Sequence, residues 1–305
     1  MKFEVVASGL GFAEGPISMA DGSILFVDIR AGTLGRVRPR GTVEVIANLG
    51  GGPNGAAIGP DGAVYVCNNG GLSWHDIGGG VTIPGHAPPD CQSGSIQRVD
   101  VASGAVTTLY TQCDGRSLRS PNDIVFDAQG GFWFSDLGKS DEWTTDRGAL
   151  YYARPDGSKI VRARSGLISP NGVGLSPDQT ILYVAETYTG RLWAYDIVGP
   201  GMLAPPPAPW LSGRLLATLP GYQLLDSLAV ESSGNLCVAG GPEGRITVFD
   251  PSGSHSHYAL AGEVVVTNIC FGGSDMCDAW VTASGTGRLY KARWPRPGMK
   301  LNFSA

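Results

Sequence analysis

The chain has 305 residues, a net charge of -5, 42% apolar residues and 16% charged residues. It can form a large core, and it carries no concentrated basic run of the kind that phosphate neutralisation needs, which argues against nucleic acid as a partner. Gly 46 and Pro 21 make about one residue in five a turn former or strand breaker, a composition suited to many short strands rather than long helices.

At the N-terminus, Met1 to Gly11 carries Lys2 and Glu4 and lacks an uninterrupted apolar segment, so it does not read as a signal peptide. No stretch approaches transmembrane length. A cytoplasmic location is expected, with a small-molecule partner, no membrane and no obligate protein partner. The six cysteines (Cys67, Cys91, Cys113, Cys237, Cys270 and Cys277) include no CxxC pair, and the chain is too long to need disulfide staples. Reduced thiols are expected, with Cys67 and Cys237 as small core residues in strands and a disulfide between Cys270 and Cys277, or Cys91 and Cys113, as the alternative.

An internal repeat organises the whole sequence. Six segments open with a polar residue followed by a short apolar run: Glu14-Gly-Pro-Ile-Ser-Met, Asn54-Gly-Ala-Ala-Ile-Gly, Asn122-Asp-Ile-Val-Phe-Asp, Asn171-Gly-Val-Gly-Leu-Ser, Asp226-Ser-Leu-Ala-Val-Glu and Asn268-Ile-Cys-Phe-Gly-Gly. Eight residues after the opening residue stands Gly22, Gly62, Gly130 or Gly234 in four copies, with Asp178-Gln179 and Asp275-Met276 in the other two. These are hairpin turn signals. A second strand rich in β-branched and aromatic residues follows each turn: Ile24 to Asp28, Ala63 to Cys67, Gly131 to Ser135, Ile181 to Glu186, Asn235 to Gly240 and Asp278 to Thr282. A third starts after a glycine, as in Gly190-Arg-Leu-Trp-Ala-Tyr-Asp and Gly244-Arg-Ile-Thr-Val-Phe-Asp.

Fourth strands are expected at Val43 to Ala47, Ala105 to Tyr110, Lys159 to Arg164, Leu215 to Thr218 and His255 to Leu260, while the sixth copy runs into Pro295 and Pro297. Phe3 to Ala7 precedes the first copy and supplies the missing strand, closing the ring and protecting its edges. The prediction is all-β: one six-bladed β-propeller over residues 1–305 with four-stranded blades, the last closed by the N-terminal strand. Copy two carries an insertion from Asn68 to Ser95 that contains Trp74, His75 and His86. Blade geometry places this loop on the same face as the start of each first strand, where it can overhang a central pocket.

First strands line the channel of a propeller, so the six opening residues Glu14, Asn54, Asn122, Asn171, Asp226 and Asn268 must form a ring. Two carboxylates and four carboxamides gathered in a buried place need a partner. Without His or Cys among them they are hard oxygen donors suited to Ca2+, with Mg2+, Mn2+ or Zn2+ as alternatives.

Here the sequence resembles, over essentially its whole length, the regucalcin, gluconolactonase and diisopropyl fluorophosphatase superfamily of calcium-dependent six-bladed propellers. The motifs that carry the resemblance are Ala13-Glu14-Gly15-Pro16, Ser120-Pro121-Asn122-Asp123, Ser169-Pro170-Asn171-Gly172 and Leu225-Asp226-Ser227-Leu228, in that family's order. The resemblance implies Glu14, Asn171 and Asp226 as direct metal ligands, and Asn122 as a ligand in some members and a substrate or water contact in others. It further implies hydrolysis of a small lactone, sugar-derived or similar, with a phosphotriesterase-like hydrolase or a non-catalytic calcium-binding propeller as the alternatives. Two departures stand out. Ser120 occupies a position where regucalcin-type sugar lactonases often place arginine, and Leu225-Asp226-Ser227 stands where Pro-Asp-Gly is common.

The sequence contains no Gly-x-Ser-x-Gly, so no serine nucleophile elbow is expected. A cation in the ring would polarise the ester carbonyl, with water as nucleophile and Asp226 as the candidate catalytic base. Direct attack by the Asp226 carboxylate is the other chemical option, and a purely coordinating role is the bland one. Trp74 and His75 are candidate substrate contacts, and Asn54 and Asn268 complete the ring as supporting or substrate-binding residues.

Overall fold

The structure is a computed structural model that describes residues 1–88 and 91–304. Pro89 and Asp90, inside the insertion expected over 68–95, and Ala305 lie outside the described residues. Six antiparallel sheets of at least four strands are arranged as the blades of a propeller. Blade one comprises Ala13–Ser18, Ile24–Asp28, Thr33–Val37 and Val43–Asn48, and blade two Pro53–Ile58, Val64–Asn68, Ser95–Val99 and Val106–Tyr110. Blade three follows with Pro121–Phe126, Phe132–Asp136, Gly148–Ala153 and Ile160–Leu167. Blade four is built from Pro170–Leu175, Ile181–Glu186, Arg191–Gly199 and Arg214–Thr218, with Met202–Leu203 added beside its long third strand. Blade five runs through Leu224–Val230, Leu236–Gly241, Arg245–Phe249 and His255–Ala259.

Blade six joins Asn268–Gly272, Asp278–Ala283 and Arg288–Arg293 to the N-terminal strand Phe3–Ser8. The closing register runs from Phe3 opposite Ala292 to Ser8 opposite Arg288. The N-terminal strand is thereby stitched to the last blade as its outermost strand. The expected strands Ile24–Asp28 and Ile181–Glu186 are observed with those bounds, and the others differ by up to three residues at an end.

The hairpin turns explain why the two copies without glycine still fit the repeat. Gly22, Gly62, Gly130 and Gly234 have positive φ, and Gln179 (φ 58°) and Met276 (φ 57°) adopt the same left-handed conformation at the equivalent position. The backbone geometry is shared, and glycine is only its least strained occupant.

The core is divided among the blade junctions. Leu25, Val27 and Leu34 of blade one meet Val64, Val66 and Val99 of blade two. Tyr65 of blade two meets Phe126, Phe132 and Phe134 of blade three. Further clusters join blades three and four, four and five, five and six, and six and one. The inner strands of each blade are largely buried on both faces, while the outermost strands are half exposed, and apolar burial of this kind is the main favourable term in folding.

Candidate metal centre at the propeller axis

The six inner strands contact one another in cyclic order around the axis. Each opening residue therefore stands near the same end of a strand that lines the axis. Five of the six are buried (Glu14, Asn54, Asn122, Asn171 and Asn268), and Asp226 is half-buried. In five blades the pairing of the inner strand is interrupted immediately around this residue, between Glu14 and Ile17, Pro53 and Gly55, Pro121 and Ile124, Pro170 and Val173, and Leu225 and Leu228. Bulges of this kind re-aim a side chain out of the regular pleat. Blade six has no such interruption at Asn268.

Small residues let the inner strands come close. A Cβ on Gly55 would lie 2.3 Å from the Asn122 carbonyl oxygen, and one on Gly172 would lie 2.6 Å from that of Asp226. Backbone leaves no room for a side chain at either position. The Asn-Gly and Glu-Gly pairs of the repeat are thus a ring residue followed by a close-approach residue.

A second layer fixes the entry to each inner strand. In four blades the last residue of the second strand accepts hydrogen bonds from the backbone just ahead of the ring residue. Asp28 accepts from Gly11 N (2.7 Å) and Phe12 N (3.0 Å), and Asn68 from Gly52 N (2.9 Å). Asp136 accepts from Arg119 N (2.8 Å) and Ser120 N (2.7 Å), and Glu186 from Ile168 N (2.8 Å). These buried acceptors convert the folded blade into a fixed position for the side chain two or three residues later.

Within the ring, Glu14 Oε2 accepts from Asn268 Nδ2 at 2.7 Å and from Gly15 N at 2.5 Å. Asn171 donates from Nδ2 to Thr187 Oγ1 at 3.1 Å. Glu14 Oε1 and Asn171 Oδ1 have no hydrogen-bond partner. Among the described residues they are the only carboxylate or carbonyl-type side-chain oxygens so buried and so unpaired. A native protein leaves few such atoms, and each calls for an explanation.

The electrostatics agree. Burial pushes the Glu14 carboxyl well above its ordinary range, and Asp226 raises it further. Burial likewise lifts Asp226 to about 7, against the nearby Asn171 amide and the hydrogen bond from Ser227 N, which favour its charged form. Two mutually repelling acids with an orphan carboxylate oxygen and an orphan amide oxygen fit a hard divalent cation. No three His, Cys, Asp or Glu side chains among the described residues gather to hold an ion by themselves, so a cation here would rely on amide oxygens.

Asp123, one step deeper than the ring, escaped the sequence reading as a site residue. It stands where three other copies place a glycine (Gly15, Gly55 and Gly172), and its carboxylate accepts from Ile124 N (2.9 Å) and Val173 N (3.0 Å). Burial raises it to about 7. Its signal in the sequence is the acid that breaks the Asn-Gly pattern. Below it lies an apolar axial cavity of about 110 Å³ whose far end is lined by Met299, Leu301, Asn302 and Ser304 of the C-terminal tail. A larger cavity of about 690 Å³ sits away from the axis, on the rims of blades one and two between Arg36, Arg38, Glu44, Asp61 and Arg98.

The insertion forms a hairpin of Trp74–Asp76 and Thr82–Pro84 and reaches three blades besides its own. Trp74 stacks obliquely on Phe12 with ring centroids 5.0 Å apart, two residues before Glu14. Thr82–Pro84 packs on the 3-10 turn Ser284–Thr286 of blade six. His86 Nδ1 lies 3.0 Å from the Ser140 carbonyl oxygen in blade three. The loop therefore crosses the face on which the ring residues open. His75 is exposed on the hairpin, with Gly85 beside its ring, and makes no approach to the ring residues that these contacts record. All six cysteines are free thiols.

The fold and the axial ring define a six-bladed propeller with an oxygen-lined mouth. The family described as "SMP-30/Gluconolactonase/LRE-like region" matches residues 12–285, and the chain belongs to that family. It is 27% identical over 281 residues to a gluconolactonase of Zymomonas mobilis, an alignment covering 82% of this chain and 70% of that protein. Among solved structures it is similar to a gluconolactonase of Xanthomonas campestris (TM-score 0.74, 24% identity, 96% of this chain and 89% of that one). It is also similar to a calcium-binding protein, regucalcin, of Agrobacterium tumefaciens (TM-score 0.73, 18% identity, 97% of each). No helix among the described residues is long and apolar enough to cross a membrane.

Proposed function

We propose that the protein is a metal-dependent lactonase that opens the ester ring of a small lactone, sugar-derived or similar. The observation that carries this reading is the pair of buried, unpartnered oxygens, Glu14 Oε1 and Asn171 Oδ1, at the axial mouth. Family membership supports the reaction class, and the gluconolactonase relative supports the lactone.

Glu14, Asn122, Asn171 and Asp226 would hold the ion, with Ca2+ preferred by an all-oxygen donor set. When bound, such an ion supplies a Lewis acid for the ester carbonyl and the developing oxyanion. The remaining work belongs to the chain. Asn268 holds Glu14 through Nδ2 while its own Oδ1 is taken by Ile269 N, so it positions a ligand. Asn54 is left as a ring amide available to substrate. Asp226, with a carboxyl near neutrality, is suited to accept the proton of the attacking water at a carboxylate oxygen. Trp74 and Phe12 form an apolar wall ahead of Glu14, and the insertion screens the mouth from bulk water. Six free thiols suit a reducing compartment, consistent with action in the cytoplasm on a diffusing metabolite.

The test is a metal-reconstituted activity screen of chelator-stripped protein against a panel of lactones and a panel of phosphotriesters. Calcium-restored turnover of at least one lactone is expected. Cleavage of a phosphotriester with no lactone turned over would move the assignment to a phosphotriesterase. Tight calcium binding without turnover in either panel would make the propeller a binding protein.

A further inference from the structure

Outside the axial ring, one pair of reactive side chains meets across two blades. Lys139, in the loop after the second strand of blade three, places Nζ 2.7 Å from Cys91 Sγ in the insertion of blade two. An N–H···O bond has its usual length near about 2.9 Å, and sulfur is larger than oxygen, so this separation is tighter than an ordinary hydrogen bond to sulfur. The lysine is held in place. Nζ also donates to the Gln92 carbonyl oxygen at 2.8 Å, and the Lys139 backbone bonds Asp146 through both its N–H and its C=O. Gly70 supplies the room: a Cβ there would meet the Gln92 carbonyl oxygen at 2.1 Å and Lys139 Nζ at 3.3 Å. The Arg119 guanidinium, bound to Asp146 at 2.7 Å, adds a second cation near the thiol. Both Cys91 and Lys139 are partly accessible to a small oxidant.

We propose that Cys91 and Lys139 form a modification site: an oxidant-induced covalent N–O–S bridge that fastens the insertion to blade three. Hydrogen peroxide is the oxidant, two molecules per bridge. The first converts the thiol to a sulfenic acid: an S–O bond forms, the peroxide O–O bond breaks and one water leaves. The second withdraws two further electrons as the N–O bond forms between the sulfenyl oxygen and Nζ. The sulfenic O–H and one N–H are lost in that step, and two more waters leave. The product retains one added oxygen and has lost two hydrogens relative to the reduced pair. Thiol reductants cleave it and return both side chains. Because the same insertion stacks Trp74 on Phe12 beside Glu14, the bridge would hold the cover of the axial mouth in its closed position. The chemistry of the bridge is independent of which substrate the mouth receives.

Intact-mass and peptide mass spectrometry of the peroxide-treated chain tests this without any activity readout. A peptide linking residues 91 and 139 is expected, heavier than its two parts by one oxygen less two hydrogens, uncut by trypsin at Lys139 and lost on reduction with dithiothreitol. Cys91→Ser and Lys139→Arg should each abolish it, with native folding verified by circular dichroism. Hydrogen exchange across residues 69–88 should slow several-fold on oxidation in the wild type and in neither variant. Oxidation of Cys91 to sulfenic or sulfinic acid with Lys139 still cleaved by trypsin would overturn the proposal. So would a disulfide between Cys91 and another cysteine, or a Cys91 that peroxide leaves untouched.

Discussion

Asn268 Nδ2 donates to Glu14 Oε2 at 2.7 Å across the junction of the first and last blades, while Glu14 Oε1 is left without a partner. One oxygen is thus spoken for by the fold and the other offered to the axis. Asn268→Ala should free the carboxylate and weaken calcium binding by about 10- to 100-fold, as loss of a ligand-orienting group generally does. Glu14→Gln keeps the shape but removes the charge, and should cost more than that in the same calorimetric titration. Unchanged calcium affinity in Glu14→Gln would remove it from the ligand set.

The buried acids predict an inverted pH response for the metal-free protein. Burial raises Asp226 and Asp123 each to about 7 and Glu14 well above its ordinary value, whereas in the unfolded chain such groups titrate near about 4. Between these limits the folded state binds more protons than the unfolded state, so stability is greatest on the acid side and falls as pH rises through neutrality. Chelator-stripped protein should therefore melt at a higher temperature at about pH 5.5 than at about pH 8. Added calcium should raise the melting point most at the alkaline end. A melting point that is flat over this range without metal would show that burial does not raise the three carboxyls in the folded protein.

The braces behind the ring give a third expectation. Asp136 is buried and accepts from Arg119 N, Ser120 N and Gly138 N. Asp136→Ala would orphan these donors and lower stability by about 3 kcal/mol in urea denaturation, from charge-assisted bonds lost and buried N–H groups left unmet. Calcium affinity should fall with it, because Asn122 begins two residues later. A loss of stability with full calcium affinity would confine the brace to folding.

Much of this architecture was legible in the sequence because it is written as repetition. Six copies of an opening polar residue, an apolar run and a turn eight residues later locate the blades, and Phe3 to Ala7 had no place except beside the last of them. The ring followed from the same register, since equivalent positions around an axis must converge. What was not legible depends on neighbours distant in sequence. Asp123 reads as the residue after Asn122 until Val173 N and Ser227 are seen beside it. The role of Asn268 as a support for Glu14 requires two ends of the chain to meet. The path of the insertion over the mouth is set by contacts with Phe12, Ser140 and the turn at Ser284–Thr286, none of which has a local pattern.

Asp226 can be separated into its two candidate roles by a substitution that keeps its geometry. Ser227 N bonds its carboxyl, and Asp226→Asn retains an oxygen to coordinate an ion but no group able to take a proton near neutral pH. If the carboxylate is the general base, calcium binding should weaken modestly while kcat falls by about 100- to 10,000-fold, the range general-base catalysis commonly supplies. The residual rate should also lose the acidic limb of its pH profile. If Asp226 only coordinates, kcat at saturating calcium should stay within a few-fold of wild type and the acidic limb should persist. Measuring kcat at saturating calcium separates the two, because it removes weakened metal binding from the comparison.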